Sequence, residues 1–170
     1  LKKEISVVIA RFPNGETYIY EPIENVHKDQ ILKHSKIPAD ISSKMFKEAQ
    51  SNAKLIAEKL GYIGVMCVEY FIDQNDNLLT NEIAPRVHNS GHLTINAFNV
   101  SQFENHIRAV CDLKMKPIKK ISNAKMKNIL GSEIEEFKKK SYSDKEFFFD
   151  YQKKEIKDKR KMGHLTTLES

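Results

Sequence analysis

Residues 63–84 read IGVMCVEYFIDQNDNLLTNEIA, and the fold is built around this stretch. It opens with a dense run of β-branched and aromatic residues, passes through a cluster of turn-forming residues at 73–77, and closes with a second apolar run. Two such runs on either side of a turn cluster predict an antiparallel β-hairpin, with strands at 63–72 and 78–84. We therefore expect an antiparallel sheet that contains this hairpin.

Two glutamates oppose each other in this hairpin if the turn is centred between Asn75 and Asp76. Glu69 then faces Glu82 on one side of the sheet, with Cβ atoms about 4.5–5.5 Å apart. Like charges inside an apolar strand pair repel each other and lose hydration, and a cation between them removes both problems. Because Mg²⁺ prefers a few carboxylates together with substrate phosphates, the pair predicts a magnesium–nucleotide site.

The spacing leaves two alternatives open. A turn centred on Asn75 pairs Glu69 with Asn81 and moves Glu82 to the other face of the sheet. In the second alternative, both carboxylates simply reach solvent at a sheet edge.

A polar loop, residues 85–92 (PRVHNSGH), follows the second carboxylate closely. Arg86 offers a planar fork for a carboxylate or phosphate, and His88 can donate, accept or shuttle a proton. Asn89 and the next serine add neutral hydrogen bonds, and the glycine lets the backbone approach a ligand. The loop is therefore expected to bind an anion beside the metal.

The loop has two other interpretations. It could be an ordered loop that caps the next helix. A zinc site made by His88 and His92 is disfavoured, because Pro85 and Gly91 oppose a helix there and no third ligand is evident.

The N-terminal part predicts a second hairpin, with strands at 4–11 and 17–20 around a Pro-Asn-Gly turn at 13–15. Residues 21–39 are polar and interrupted by prolines, which predicts irregular structure. The chain starts almost inside its first strand, and this favours a truncated chain.

Two helices are predicted. Apolar residues repeat at helical spacing over 41–60, with Asp40 or Ser42 as the N-cap and Gly61 as the end. A capping box at 101–104 begins the other helix. The apolar stripe of that helix consists of Phe103, Ile107 and Val110.

Positive charge is concentrated in the last third of the chain. Residues 1–111 contain 12 Lys/Arg and 13 Asp/Glu, whereas residues 112–170 contain 16 and 10, which suggests two domains divided there. The second is predicted to be small and β-rich. Its elements are strands at 124–130, 146–151 and 162–168 and a helical turn within 134–140. Because acidic residues are interleaved with the basic ones, a polyanion-binding groove is disfavoured.

Composition excludes several classes of protein. The chain has 170 residues, 40% hydrophobic and 30% charged, which is enough for a packed core. No apolar run approaches the roughly 20 residues of a transmembrane helix. Cys67 and Cys111 do not make a disulfide framework, and a reducing, cytoplasmic compartment is predicted.

These motifs together resemble the ATP-grasp ligases. The resemblance rests above all on residues 68–71 (VEYF) and 81–92 (NEIAPRVHNSGH), with support from 24–29, 101–106 and 160–164. Within the family, the chain is most similar to the branch that carboxylates 5-aminoimidazole ribonucleotide (AIR). The similarity runs from about residue 4 to residue 168 and corresponds to the C-terminal half of such an enzyme.

The resemblance implies an α+β fold: the C-terminal part of an ATP-grasp domain, an antiparallel sheet with helices, followed by a small β-rich domain. It implies that ATP, bicarbonate and AIR give N5-carboxy-AIR, ADP and phosphate through carboxyphosphate. The enzyme would be a homodimer without nucleic-acid or membrane partners. The missing half would hold the glycine-rich loop and the lysines that bind ATP phosphates, so this chain alone is expected to be inactive.

The resemblance also implies roles on the nucleotide side. Glu69 and Glu82 would hold Mg²⁺, and Asn81, Glu82 and His27 would contact ATP.

On the acceptor side, Arg86, His88 and Asn89 would bind bicarbonate and stabilise carboxyphosphate. Lys153 and Arg160 would bind the ribose phosphate of AIR.

The sequence departs from the family between those last two residues. Gln152 replaces a usual Gly, Lys157 a usual Arg, and 158–159 a usual Pro-Gly, which puts the turn geometry in doubt. The competing functions are another ATP-grasp ligase, of the formate-dependent transformylase or biotin carboxylase type, and a basic RNA-binding module.

Overall fold

The computed structural model describes residues 1–169, in which nine strands form one antiparallel sheet. The strands are β1 Lys3–Arg11, β2 Thr17–Ile19, β3 Ile23–Lys28, β4 Ile31–Ile37, β5 Gly64–Ile72, β6 Leu78–Ala84, β7 Asn123–Leu130, β8 Glu146–Asp150 and β9 Lys161–Glu169. Their spatial order is β6-β5-β1-β3-β4-β7-β9-β8, and β2 pairs with β1 outside this path. The helices are α1 Ser43–Leu60, α2 Thr94–Ala97, α3 Gln102–Val110 and α4 Glu133–Phe137, with a 3-10 helix at Asn89–Leu93. The predicted antiparallel sheet with few helices is confirmed.

The expectation of irregular structure over 21–39 is wrong, because β3 and β4 form a hairpin there. Its two-residue turn, Asp29 and Gln30, has positive φ at both positions, as tight hairpin turns require. The polar residues that suggested a loop, among them Asn25 and Ser35, are buried strand positions that hydrogen-bond to each other. Burial of a polar side chain is tolerated when it has such a partner.

Helix α1 forms as predicted and covers one face of the sheet. Ser42 caps its N-terminus by accepting from the Met45 N–H, and Gly61 ends it with a φ of 58°. Its small buried residues, including Ala49 and Ala53, pack against apolar residues of β1 and β5. Because alanine has little side chain, the helix can lie close to the sheet.

The opposite face carries the 3-10 helix, α2 and α3. Leu93, Ala97 and Ala109 pack there against residues such as Val8 and Cys67. Glu69 lies on this face as well. It pairs with Ser6, which projects to the same side of β1 as Val8, and paired residues project to the same side of a sheet.

Helix α3 begins at the predicted capping box, but its apolar stripe lies at the surface. Phe103, Ile107 and Val110 are 37%, 56% and 49% exposed. The residues that α3 buries are instead the polar Gln102 and Asn105, together with an alanine. Polar groups of the polar loop at residues 85–92 (the site loop) and of Tyr20 are hydrogen-bond partners of those two side chains, and this favours the observed orientation of the helix.

The elements predicted for the basic C-terminal segment are confirmed as β7, α4, β8 and β9. Strand β7 pairs with β4, so the segment continues the same sheet. Among residues 1–169, no helix has both the length and the hydropathy to span a bilayer.

Gly163 is expected to be essential for the packing of β8 on β9. A Cβ at this position would overlap the carbonyl oxygen of Phe149 and lie 3.2 Å from Ile134 Cδ1. We expect Gly163→Ala to lower the free energy of unfolding by about 2–3 kcal/mol, measured by urea denaturation. The control is Gly15→Ala, where φ is 88° but no atom lies within 4 Å. That variant should lose only about 1–2 kcal/mol of backbone strain energy, and an equal or smaller loss in Gly163→Ala would contradict the prediction.

Candidate active site

The two carboxylates oppose each other as predicted, although the turn does not have the predicted centre. Next to the turn, Tyr70 pairs with Thr80 and Ile72 with Leu78, which is the register of a turn centred on Asn75. A β-bulge between Glu69 and Tyr70 then shifts the ladder by one residue, so that Glu69 pairs with Glu82. Asn81 is the extra residue of the bulge. Bulges re-aim side chains and are common beside active sites.

Glu69 is hydrogen-bonded to the loop that follows the hairpin. His88 Nε2 lies 3.1 Å from Glu69 Oε1, and both side chains are largely buried. The hydrogen bond from His88 holds the pKa of Glu69 below its usual range, against the opposing effect of burial. Burial alone lowers the pKa of His88, but hydrogen bonds with Cys67 and Glu69 more than offset it and raise the pKa to about 9. The pair is therefore an imidazolium and a carboxylate at neutral pH.

The backbone of His88 is held by a side chain from α3. The Gln102 amide accepts from the His88 N–H at 3.0 Å and donates to the His88 carbonyl at 2.7 Å. Gln102 is fully buried, and a Cβ at Gly91 would lie only 2.5 Å from Gln102 Oε1. The loop is thus ordered by α3 itself, and His88 also caps the 3-10 helix.

Asn89 and Arg86, the other two loop residues predicted to bind bicarbonate, differ in how firmly their side chains are held. Asn89 Nδ2 donates to Asn128 Oδ1 of β7 at 3.1 Å, while its own Oδ1 is buried without a partner among residues 1–169. The Arg86 side chain is exposed and donates to the carbonyl of the next residue, Val87. Asn89 is therefore positioned by the sheet, and the Arg86 guanidinium can reach a ligand.

His27 lies on β3 and is hydrogen-bonded to Glu4 of β1. Its charge contributes to the lowered pKa of Glu69, so the two side chains belong to one electrostatic environment. The structure thus brings His27 to the same face as Glu69 and His88.

Lys161 is a site residue that the sequence interpretation missed. It lies at the start of β9, and burial lowers its pKa, with Glu69 opposing this effect and Arg86 and Lys153 adding to it. Lys153 Nζ donates to the Lys161 carbonyl at 2.6 Å and lies 5.5 Å from the centre of the Tyr151 ring. Lys161 therefore adds a positive charge near Glu69, and Arg86 and Lys153 lie close to Lys161. A lysine inside the RKMGH motif was the available signal.

Arg160 is placed differently from Lys153. Its side chain is exposed and donates to the carbonyl of Glu155 at 3.2 Å. Two of the residues that depart from the family pattern, Gln152 just before Lys153 and Lys159 just before Arg160, have positive φ values of 52° and 60°. The backbone is therefore left-handed at both positions where the family usually has glycine.

Three rings join the site loop to the C-terminal segment. Tyr151 OH lies 3.1 Å from His92 Nδ1 and 2.8 Å from His164 Nδ1. His164 also stacks on Phe149, with ring centres 4.8 Å apart. Burial lowers the pKa of His92 to about 3 and of His164 to about 4, so both rings are neutral at pH 7.

These two histidines should make stability fall as the pH drops below 6.5. The unfolded chain binds protons on both rings from about pH 6.5 downwards, whereas the folded chain does so only near pH 3–4. Since the unfolded state binds more protons in that window, we expect a loss of about 2 kcal/mol for each histidine between pH 7 and pH 5. Urea unfolding at both pH values measures it. In His164→Phe the pH-dependent loss should be about half; an unchanged loss would contradict the assignment.

The residues present fit a magnesium ion only in combination with a ligand. Among the described residues, no cluster of three or more His, Cys, Asp or Glu side chains could hold a metal. Glu69 and the exposed Glu82 offer carboxylate oxygens on one face, and Glu69 keeps one oxygen that His88 does not occupy. Mg²⁺ is bound in this way when phosphate oxygens and water complete its shell.

Comparison with known proteins agrees with the fold. The sequence model of the ATP-grasp domain matches residues 1–103, and that of the phosphoribosylaminoimidazole carboxylase C-terminal domain matches residues 124–170. The N5-carboxyaminoimidazole ribonucleotide synthase of Brucella melitensis biotype 1 is 41% identical over 167 residues, which make up 98% of this chain and 46% of that protein.

Two solved structures have the same fold along nearly the whole chain. An ADP complex of an N5-carboxyaminoimidazole ribonucleotide synthetase gives a TM-score of 0.94 at 38% identity, covering 99% of this chain and 45% of that one. The Aspergillus clavatus synthase in complex with ADP and 5-aminoimidazole ribonucleotide gives 0.92 at 31% identity, covering 99% and 47%. The chain spans about half the length of the curated relatives that it matches. With its antiparallel sheet, its opposed glutamates and a family match over residues 1–103, the chain belongs to the ATP-grasp family.

Proposed function

We propose that this chain supplies the C-terminal half of an enzyme that carboxylates 5-aminoimidazole ribonucleotide, using ATP and bicarbonate. The observation that carries the proposal is the pairing of Glu69 with Glu82 beside His88 and Lys161. The similarity to synthases of N5-carboxyaminoimidazole ribonucleotide, one of them solved with ADP and AIR, supports the choice of substrates.

On the nucleotide side, Glu69 and Glu82 would hold Mg²⁺, and Asn81 and His27 would contact ATP. The ion supplies charge neutralisation at the phosphate oxygens. Glu82 and Asn81 are exposed at the bulge, which leaves them free to meet a ligand.

On the acceptor side, Arg86, His88 and Asn89 would bind bicarbonate. A bicarbonate oxygen attacks the γ-phosphorus and ADP leaves, which gives carboxyphosphate. The exocyclic amine of AIR then attacks the carboxyl carbon, or the CO₂ released from it, and phosphate leaves. The raised pKa of His88 makes it a cation at neutral pH, and cations aimed at developing negative charge lower the barrier to such a step.

Lys153 and Arg160 are proposed to bind the ribose phosphate of AIR. The contact of Lys153 with Lys161 and Tyr151 supports its place near the loop. Arg160, which is exposed on the turn, would bind the same phosphate.

We also propose a division into an ATP-grasp part and a C-terminal domain near residue 111, a cytoplasmic location, and a homodimer without nucleic-acid or membrane partners. The two family matches end and begin on either side of residue 111, which supports the division.

The test is ADP release by the full-length protein with Mg²⁺, ATP and bicarbonate. We expect ADP release to depend on AIR and to be matched by formation of its carboxylated product. Turnover with formate or biotin in place of bicarbonate or AIR would overturn the proposal in favour of another ligase. Binding of RNA that weakens with salt, without any ATP turnover, would overturn it in favour of a binding module.

A further inference from the structure

A chain of buried polar side chains crosses three neighbouring strands and the site loop and ends at His88. It begins at Ser35 on β4, whose hydroxyl donates to Asn25 Oδ1 on β3 at 2.8 Å. Asn25 Nδ2 donates to Ser6 Oγ on β1 at 2.9 Å, and Ser6 Oγ lies 2.8 Å from Ser90 Oγ in the site loop. Ser90 Oγ lies 2.8 Å from His88 Nδ1. The imidazole then contacts Glu69 of β5 through its other nitrogen.

The four polar side chains are nearly inaccessible to solvent. Ser6 and Ser90 are 0% exposed, Ser35 2% and Asn25 6%. Burying a hydroxyl or amide costs free energy unless it is hydrogen-bonded, so each member depends on its neighbours in the chain. Apolar side chains at these positions could pack the core without needing hydrogen-bond partners. Packing therefore does not explain the polar residues, and their role is in the contact that they make with His88.

The hydrogen bonds fit the imidazolium form of His88. Its Nδ1–H donates to Ser90 Oγ, and the Ser90 hydroxyl donates to Ser6 Oγ, which also accepts from Asn25 Nδ2. On the other side, the Glu69 carboxylate can only accept, so His88 Nε2 carries a proton. Since hydroxyls can rotate, the same contacts also hold the ring when Nδ1 loses its proton and accepts from Ser90.

We propose that Ser90, Ser6, Asn25 and Ser35 are positioning residues that fix the His88 imidazole with Nε2 directed at Glu69. That this orientation serves the carboxylation reaction rests on the proposed function; the positioning itself does not. The ring is fixed on both sides, by a hydroxyl at Nδ1 and a carboxylate at Nε2. A ring held in this way meets a bound anion in one geometry only.

The test is hydrogen exchange of the His88 Nε2–H with water, followed by NMR in this chain labelled with ¹⁵N-histidine. In the wild type the proton should exchange slowly, because it is hydrogen-bonded and largely buried. In Ser90→Ala the ring loses its partner at Nδ1, and we expect exchange at least about 10-fold faster. Ser6→Ala acts one step further away and should give a smaller acceleration, which keeps the test decisive if Ser90→Ala does not fold.

Thr166→Val is the matched control. Thr166 is 0% exposed on the same face of the sheet, and its hydroxyl has no hydrogen-bond partner among residues 1–169. Removing it should leave exchange at His88 unchanged. Equal exchange rates in the wild type and both serine variants, or an equal acceleration in Thr166→Val, would overturn the proposal.

A second readout separates positioning from the proposed function. In the full-length protein, Ser90→Ala should lower kcat, calculated per folded enzyme, about 10-fold and leave the KM for ATP unchanged. General destabilisation lowers only the folded fraction, so it would leave this normalised kcat unchanged. If the wild type itself does not carboxylate AIR, the proposed function fails while the exchange result stands. If exchange is unaffected, the positioning fails whatever the reaction.

Discussion

Replacing Glu82 with alanine in the full-length protein is expected to lower Mg²⁺-dependent ATP turnover by at least about 100-fold. Glu82 faces Glu69 across the bulge, is exposed, and would supply one of the two carboxylates of the metal site. Without it, Glu69 alone would have to hold an ion while one of its oxygens is bound to His88. Turnover is measured by coupled ADP release as the Mg²⁺ concentration is raised.

The control for this variant is Thr80→Ala on the same strand. Thr80 is exposed like Glu82 and pairs with Tyr70 on the turn side of the bulge, where the proposal places no ligand. Both variants should unfold within about 0.5 kcal/mol of the wild type, because both side chains are at the surface. Full ATP turnover in Glu82→Ala, or an equal loss in Thr80→Ala, would show that the metal assignment is wrong.

The hairpin shows how far a pattern of residues can predict a site. The apolar runs predicted both strands, and the pairing of Glu69 with Glu82 is confirmed. The predicted turn centre was nevertheless wrong: the register of the alternative, centred on Asn75, holds near the turn, and a bulge at Asn81 restores the pairing. A bulge depends on the local backbone and on what packs beside it, so no alternation of residue types announces it.

The features that the sequence did not predict depend on which side chains become buried together in the folded chain. Asn25 and Ser35 suggested a loop because polar residues are rare in cores, and only their partners across the sheet make them strand residues. Lys161 was missed for a related reason. Its importance comes from its nearness to Glu69 and Arg86, which the folding of β9 beside the loop creates. Tertiary contacts of this kind are absent from local propensity.

The local signals were reliable where physics is local. Ser42 and Gly61 delimit α1 because a cap and a left-handed glycine act within one helical turn. The exposed stripe of α3 is the contrary case, in which tertiary hydrogen bonds to Gln102 and Asn105 overrode the apolar pattern.

Gln102→Ala is expected to destabilise the chain by about 3 kcal/mol and to disorder the site loop. The amide of Gln102 satisfies both backbone groups of His88, and its removal leaves a partly buried N–H and carbonyl without this partner. Urea unfolding of this chain measures the loss, and ATP turnover of the full-length protein should fall about 100-fold, because the loop groups are displaced. Gln102→Glu should not restore the stability, because a carboxylate cannot donate to the His88 carbonyl and its charge would be buried.

A double-mutant cycle with Gly91 isolates this clamp of Gln102 on His88. Gly91→Ala places a Cβ 2.5 Å from Gln102 Oε1 and should cost about 2 kcal/mol, because the buried amide has to move off the His88 backbone. Once Gln102 is alanine, that clash is gone. The double variant should therefore be hardly less stable than Gln102→Ala alone, with a coupling energy of about 2 kcal/mol. Simple additivity of the two losses would mean that Gly91 is required for a reason other than the Gln102 amide, and the clamp would not be what orders the loop.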